Sequence, residues 1–133
     1  MKVYKKIFLL LLPFIILATL TACGEIIPET KENTPPTVLS RSPDNNATGV
    51  DVNTTITVTF SEAITTSTIT TGTFTVSSGE GSISGTITYS GTTVTFTPSS
   101  NLNYNTAYTV TISAEVKDES GNAMTGNYSW SFT

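Results

Sequence analysis

The chain has 133 residues, about the length of one domain, and 12% of them are charged, roughly half the share in an average globular protein. It contains no histidine and one cysteine, which excludes imidazole-dependent catalytic triads, nearly all zinc sites and an intramolecular disulfide. After Cys23, three cations stand against ten carboxylates, a formal charge of −7. Because phosphate backbones are bound by clustered Lys and Arg, we expect no nucleic-acid partner.

Residues 1–22 have the layout of a secretory signal peptide. Three lysines lie within the first six residues, an apolar stretch covers residues 7–20, and small residues follow before a cleavage point. The alternative is a permanent transmembrane helix. The stretch contains Pro13 and is shorter than the roughly 20 apolar residues that a spanning helix needs, so export followed by cleavage is the better interpretation.

The sequence Leu20-Thr21-Ala22-Cys23 ends this segment. It resembles the lipobox of bacterial lipoproteins, which has a leucine three residues before an obligatory cysteine and a small residue directly before it. The resemblance implies cleavage before Cys23, a diacylglycerol thioether on its thiol and, in many members, acylation of the new amino terminus. The alternative is a stray cysteine beside an ordinary signal-peptidase site.

Lipid on Cys23 would attach an acidic protein to a membrane that its own charge does not favour. Each buried methylene adds about 0.8 kcal/mol, so two or three acyl chains anchor a protein stably. By the same resemblance, Gly24 in place of Asp implies the outer membrane in a cell with two membranes. In a cell with one membrane, the expected location is the outer face of that membrane.

Residues 23–36 are predicted to be the lipidated cysteine and a flexible tether. The sequence GEIIPETKENTPP has no helix or strand period and contains three prolines, which favour extended conformations. At about 3.1 Å per residue, the tether would hold the following domain within ~40 Å of the bilayer.

Residues 37–133 alternate apolar side chains with threonine and serine, which predicts half-buried β-strands. Turn-forming sequences such as Asp44-Asn45-Asn46, Ser90-Gly91 and residues 118–122 separate these runs. About seven short strands in one domain are typical of an all-β, immunoglobulin-like Greek-key β-sandwich. The predicted core residues are Val38, Leu39, Ile56, Val58, Phe60, Phe74, Val76, Ile83, Ile87, Tyr89, Val94, Phe96, Tyr108, Val110, Ile112, Tyr128, Trp130 and Phe132.

Minimal helix is expected, although Ile64 and Ile69 lie where a short helical turn would fit. Leu102, followed six residues later by Tyr108 at the start of a strand, resembles the tyrosine corner of Greek-key sandwiches. The resemblance implies that the Tyr108 hydroxyl bonds to backbone upstream; the alternative is an ordinary core aromatic. Tyr104 is then expected on the surface.

Three segments carry a resemblance over essentially the whole domain. PPTVLSRSPDNNATGVDVNTTITVTFSEAI, GTTVTFTPSSNLNYNTAYTVTI and VKDESGNAMTGNYSWSFT occur in the same order as in the SbsA-type bacterial Ig-like domain. The resemblance implies a module of S-layer and other surface proteins. Family members often have Pro-Met-Asp after the Ser-Glu step, where this chain has Ala63-Ile64-Thr65.

No catalytic constellation is visible. No histidine is present to activate the many hydroxyls, and Asp118 and Glu119, adjacent in sequence, are expected to point apart. Residues 118–122 are rich in oxygen ligands but lack the spacing of a calcium loop. Asp51 and Glu62 would contribute only if folding brought them nearby. A turn with Gly121 or Asn122 at positive φ is the preferred interpretation, and we expect no cofactor and no tight metal site.

The leading hypothesis is a non-catalytic, membrane-anchored surface or periplasmic lipoprotein whose Ig-like module serves as a spacer or protein-interaction unit. The alternative is an adhesion module that binds carbohydrate or another ligand through loop residues such as Tyr104. Its partners would be the membrane, through lipid on Cys23, and a cell-surface protein or glycan.

Overall fold

Eight β-strands form two antiparallel sheets in the computed structural model, which describes residues 33–133. The predicted signal peptide, Cys23 and most of the predicted tether lie outside the described residues. The strands are β1 (Val38–Ser42), β2 (Ile56–Phe60), β3 (Phe74–Ser78), β4 (Gly81–Ser82), β5 (Gly85–Ser90), β6 (Thr93–Pro98), β7 (Tyr108–Ile112) and β8 (Tyr128–Phe132).

The strand order is β1-β2-β6-β5 in one sheet and β4-β3-β7-β8 in the other. Apart from the two-residue β4, this is the arrangement of a constant-type immunoglobulin sandwich, with four strands facing three. The predicted all-β Greek-key sandwich is confirmed. Within residues 33–133, the one helical element is a single 3-10 turn, Thr66–Thr68, between Ile64 and Ile69, where the sequence allowed a short helical turn.

The core follows the alternation that the sequence showed. In β2, Ile56, Val58 and Phe60 are buried and the intervening threonines are half-buried. The same pattern recurs in β3, β6 and β7, so the inner faces of the two sheets supply one continuous core. Phe74 and Phe96 stack across it with ring centroids 5.9 Å apart.

Gly85 lies on the inner side of β5, where the ring of Phe96 approaches the backbone. A Cβ added at Gly85 would lie 2.3 Å from the Phe96 ring and 2.6 Å from the carbonyl oxygen of Thr97. Glycine is therefore required at this position by close packing, not by its backbone angles.

Tyr108 forms the expected tyrosine corner. Its side chain is buried, and its hydroxyl accepts a hydrogen bond from the backbone N–H of Asn103 at 2.8 Å. Leu102 is also buried and donates its own backbone N–H to Val52. This corner fixes the loop before β7 against the loop before β2, and the prediction is confirmed.

The two ends of the sandwich carry different loops. We call the end that bears residues 61–73, 91–92 and 113–127 the entry end, because Thr37 donates its N–H to Ser61 there. We call the opposite end the exit end; it bears residues 43–55, 79–84 and 99–107. Thr133 lies at the exit end, where it exchanges backbone hydrogen bonds with Ala47 and Val50.

Two predicted core residues are not in the core. Leu39 is 67% exposed because the register between β1 and β2 shifts between Val38 and Ser40, which makes Leu39 the extra residue of a β-bulge. Tyr89 is 42% exposed because β5 is an edge strand. Its ring reaches past the edge of the core, and its hydroxyl donates to the carbonyl oxygen of Ile69 at 2.7 Å.

The predicted strand through Ile83, Ile87 and Tyr89 is divided in two. Gly81–Ser82 pairs with β3 in one sheet, whereas Gly85–Ser90 pairs with β6 in the other. Ile83 still bonds to Val76 through its backbone N–H, and the chain then crosses between the sheets. Ile83 and Ile87 are half-buried as a result.

Candidate functional site

Asp118 is the buried charged residue of the described domain, with 1% of its surface exposed. It lies in the loop between β7 and β8, where a short bridge pairs Lys117 with Ala123. Between those residues the chain turns tightly, and Gly121 adopts a φ of 86°. Only glycine adopts that angle without strain, so the predicted positive-φ turn is confirmed.

Asn122 satisfies both oxygens of the Asp118 carboxylate. Its backbone N–H donates to Oδ1 at 2.8 Å, and its side-chain amide donates to Oδ2 at 2.7 Å. Burial raises the pKa of Asp118. The bonds from Asn122, together with those from the backbone N–H groups of Gly121 and Ser120, lower this pKa by more than burial raises it. The net result is a pKa below the ordinary value of 3.8.

The same loop is bound to the segment that follows β2. Thr65 donates its backbone N–H to Lys117 at 2.8 Å and its hydroxyl to the carbonyl oxygen of Asp118 at 2.6 Å. Glu119 donates its N–H to Ala63 at 3.3 Å. The loop between β7 and β8 is therefore bound to the segment that connects β2 to β3, which is a structural role.

The geometry does not assemble a catalytic or metal centre around Asp118. Glu119 is exposed while Asp118 is buried, so the two carboxylates do not act as a pair. Within residues 33–133, no group of three or more Asp, Glu, His or Cys side chains is close enough to hold a metal ion. Asp51 and Glu62 do not join Asp118 in such a group.

Arg41 was not assigned any role from the sequence. Its guanidinium lies 5.7 Å from the ring centroid of Tyr128 and donates to the Tyr128 hydroxyl. Trp130 packs beside Tyr128 and donates its indole N–H to the carbonyl oxygen of Pro43 at 2.9 Å. These contacts join β1 and the residue after it to β8 of the other sheet. The residues are far apart in sequence, so only the folded structure shows the contacts.

Surface hollows lie at both ends of the described domain. An open depression of about 600 Å³ at the entry end is lined by threonines together with Glu115 and Lys117. A smaller one of about 100 Å³ at the exit end is lined by Tyr104 and its neighbours Asn103 and Asn105.

Tyr104 is 81% exposed, as expected for a surface residue. The other exposed tyrosine, Tyr89, lies toward the entry end, where it contacts Thr66 and Ile69. The two rings therefore lie at opposite ends and do not form a shared aromatic platform. Leu39 is the third large apolar residue exposed in the described domain.

Cys23, the predicted lipid-attachment residue, lies outside the described residues. In the part of the chain that the structure describes, no helix has the length and apolar character needed to cross a bilayer.

Comparisons with known proteins bear on the domain as a whole. Residues 32–133 match the family model described as bacterial Ig-like domain. The surface layer protein SbsC, in a structure of domains 1–6, is 25% identical with a TM-score of 0.56, over 75% of this chain and 14% of that chain. A second structure, of the N-terminal part of SbsC, is 25% identical with a TM-score of 0.57 and is covered over 23% of its length.

More distant structures share the fold alone. The LD transpeptidase LdtMt1 in complex with imipenem is 20% identical with a TM-score of 0.53, over 73% of this chain and 38% of that chain. E. coli alpha-2-macroglobulin is 17% identical with a TM-score of 0.57, over 77% and 6%. This chain thus corresponds to a small part of each of these proteins. A search of curated proteins found no match.

Proposed function

The chain belongs to the family of bacterial Ig-like domains, and from this premise we propose that it is a non-catalytic, lipid-anchored protein of the cell envelope. Its domain acts as a spacer or a protein-interaction unit. The family and the S-layer neighbours indicate a cell-surface or extracellular module. The lipid anchor and the specific role are the parts that we propose.

The observation that carries the proposal is that Thr37 and Thr133 lie at opposite ends of the sandwich. Thr37 is bound at the entry end and Thr133 at the exit end. A strand of five residues spans about 17 Å, so Thr37 is separated from the exit-end loops by about the length of β1. This arrangement suits a module that holds a surface away from an attachment point.

The chemistry of the described domain supports a role without catalysis. Both oxygens of its buried carboxylate, Asp118, accept hydrogen bonds from Asn122, and these bonds stabilise a loop. The chain has no histidine to activate a serine or threonine nucleophile. At the entry-end depression, the hydroxyls of Thr68, Thr70 and Thr73 are hydrogen-bonded to backbone groups.

Cys23 is the proposed attachment point, supported by the Leu20-Thr21-Ala22-Cys23 sequence and the apolar segment before it. The test is metabolic labelling with a palmitate analogue in a bacterial host. The wild-type chain should carry label and remain with the membrane fraction, whereas Cys23→Ser should carry none.

Ala22→Gly is the matched control, because it keeps a small residue at the cleavage point and should retain the label. A Cys23→Ser protein labelled as strongly as wild type would contradict the anchor. Loss of label with release or retention of an unprocessed precursor would support it.

Carbohydrate binding remains the second candidate function, resting on the exposed ring of Tyr104 between two asparagines. A sugar platform normally uses more than one aromatic face, and the second exposed tyrosine lies at the other end of the domain. A glycan array probed with the wild-type chain and Tyr104→Ala tests it. Binding that is lost in Tyr104→Ala would favour adhesion over spacing, and an array without hits would exclude the carbohydrate version.

A further inference from the structure

Sheet edges differ in how well they are protected from pairing with another strand. In this domain β1 carries a β-bulge at Leu39 and a charged residue, Arg41. β4 has only two residues. β8 is covered over its second half by residues 45–47, through bonds to Ser131 and a parallel bridge to Phe132. Bulges, charges, shortness and coverage are the usual means of blocking an edge.

The remaining edge, β5, has none of these features. Its sequence, GTITYS, contains no charge and no proline, and all six residues pair with β6 in an unbroken register. Within residues 33–133, the backbone of β5 makes no strand pairing except with β6. β5 is therefore a regular, uncharged edge that is open on one side.

The backbone groups that face outward can be identified from one hydrogen bond. Ser99 donates its N–H to the carbonyl oxygen of Ser84 at 2.9 Å, which makes 84 and 99 a hydrogen-bonded pair. Hydrogen-bonded pairs alternate along an antiparallel ladder, so residues 86, 88 and 90 also bond to β6. The N–H and C=O groups of Gly85, Ile87 and Tyr89 consequently point away from β6, in the plane of the sheet and toward its open edge.

We propose that this edge pairs with β5 of a second copy of the chain, antiparallel and centred on Ile87. In that register Ile87 faces Ile87 of the second copy, and Gly85 faces Tyr89. Gly85, Ile87 and Tyr89 of each copy direct their free N–H and C=O groups at the other copy. The three resulting pairs each exchange two backbone hydrogen bonds, six in all, across a two-fold axis. A two-fold contact must be complementary to itself, and this register satisfies that condition.

The side chains agree with the same register. Tyr89 lies opposite Gly85, the one residue of the strand without a side chain, and not opposite a second tyrosine. On the outer face, Thr86 lies opposite Thr88 of the second copy. Such hydroxyl pairs already occur between strands of this domain, as at Thr59 and Thr93, whose oxygens are 3.2 Å apart.

Charge also favours this edge over the rest of the surface. The described domain has Arg41 and Lys117 against seven carboxylates, a formal charge of −5, so most approaches between copies are repulsive. No carboxylate lies on β5, and contact there brings no like charges directly opposite each other. Attachment of many copies to one membrane would raise their local concentration, although the pairing itself does not require the lipid.

Disulfide trapping tests the register. Two versions of the full chain that differ in size by a tag, one with Thr86→Cys and one with Thr88→Cys, are co-expressed, and the membranes are mildly oxidised. Residues 86 and 88 would form a non-hydrogen-bonded pair with Cα atoms about 4.5 Å apart, within the range that a disulfide spans. Two copies of residue 86, or two of residue 88, would be separated by about 8 Å.

We expect a disulfide-linked dimer that joins residue 86 of one variant to residue 88 of the other. Its amount should exceed several-fold the amounts of the 86–86 and 88–88 dimers. The wild-type chain is the control for any crosslink through Cys23. Thr109→Cys co-expressed with Ser129→Cys is the control for random collision, because both positions are exposed on the other sheet. Protease resistance of each variant verifies that it is folded. Equal amounts of all dimers, no dimer above the collision control, or a disulfide to a different protein would each overturn the proposal, whatever the palmitate label shows for Cys23.

Discussion

Asp118 and Asn122 are joined twice, because the backbone N–H and the side-chain amide of Asn122 each donate to a different oxygen of the Asp118 carboxylate. The pair closes a five-residue turn around Gly121. Through Thr65 the turn is also bound to the segment after β2. An acidic residue that sequence inspection treats as a candidate ligand thus stabilises the fold of the entry end.

Replacing Asp118 by Asn should lower the melting temperature clearly. Asn would present an amide group to donors that now bind a carboxylate, so at least one bond from Asn122 is lost, and buried donors without acceptors are costly. Thermal unfolding followed by circular dichroism measures the change. Glu119→Gln removes the same charge from the neighbouring exposed residue and should leave the melting temperature close to wild type; equal effects would contradict the assigned role.

Acid should weaken the same interaction. The pKa of Asp118 is lower in the folded chain than its ordinary value of 3.8, so at low pH the unfolded chain binds more protons. The contribution to stability is therefore fully present above that ordinary pKa and is lost as the pH falls through the lower, folded pKa. Urea unfolding from about pH 6 to about pH 2 should show the difference between wild type and Asp118→Asn shrinking with acid. A difference that stays constant would exclude Asp118 as its source.

Gly85→Ala should destabilise the domain by about 1–3 kcal/mol, the usual cost of overpacking a close contact. The added methyl would meet the Phe96 ring and the backbone oxygen of Thr97, and the backbone oxygen cannot move aside freely. Gly79→Ala is the control, because nothing lies within 4 Å of a Cβ placed there. Chemical denaturation of both variants measures the difference; similar midpoints would show that β5 adjusts its position.

Tyr108→Phe should cost about 1 kcal/mol, because it removes the acceptor of the Asn103 N–H while keeping the buried ring. Tyr104→Phe removes a hydroxyl from a ring that is 81% exposed and should be neutral. The comparison of their denaturation midpoints isolates the corner bond. If the two variants were equally stable, the corner would contribute packing only.

Much of the fold was predictable because it depends on local patterns. Alternation in strands such as β2 identified the buried face, and the six-residue spacing from Leu102 to Tyr108 identified the corner. The errors occurred at edges: period alone does not show that Leu39 occupies a bulge, or that Tyr89 lies on a strand with only one neighbour. The Asp118–Asn122 pair had a usable signal, since an acid four residues before an asparagine in a glycine turn can close a loop.

The sequence alone determined the strand periodicity, the placement of turns, the acidic balance and the candidate attachment residue, because each follows from residue type and spacing along the chain. The tertiary structure decided which strands are edges, which end of the sandwich each loop occupies, and what Asp118 and Arg41 contact. Those properties depend on pairing between residues far apart in sequence. Asp118 meets Thr65, and Arg41 meets Tyr128, only when the two sheets have packed together.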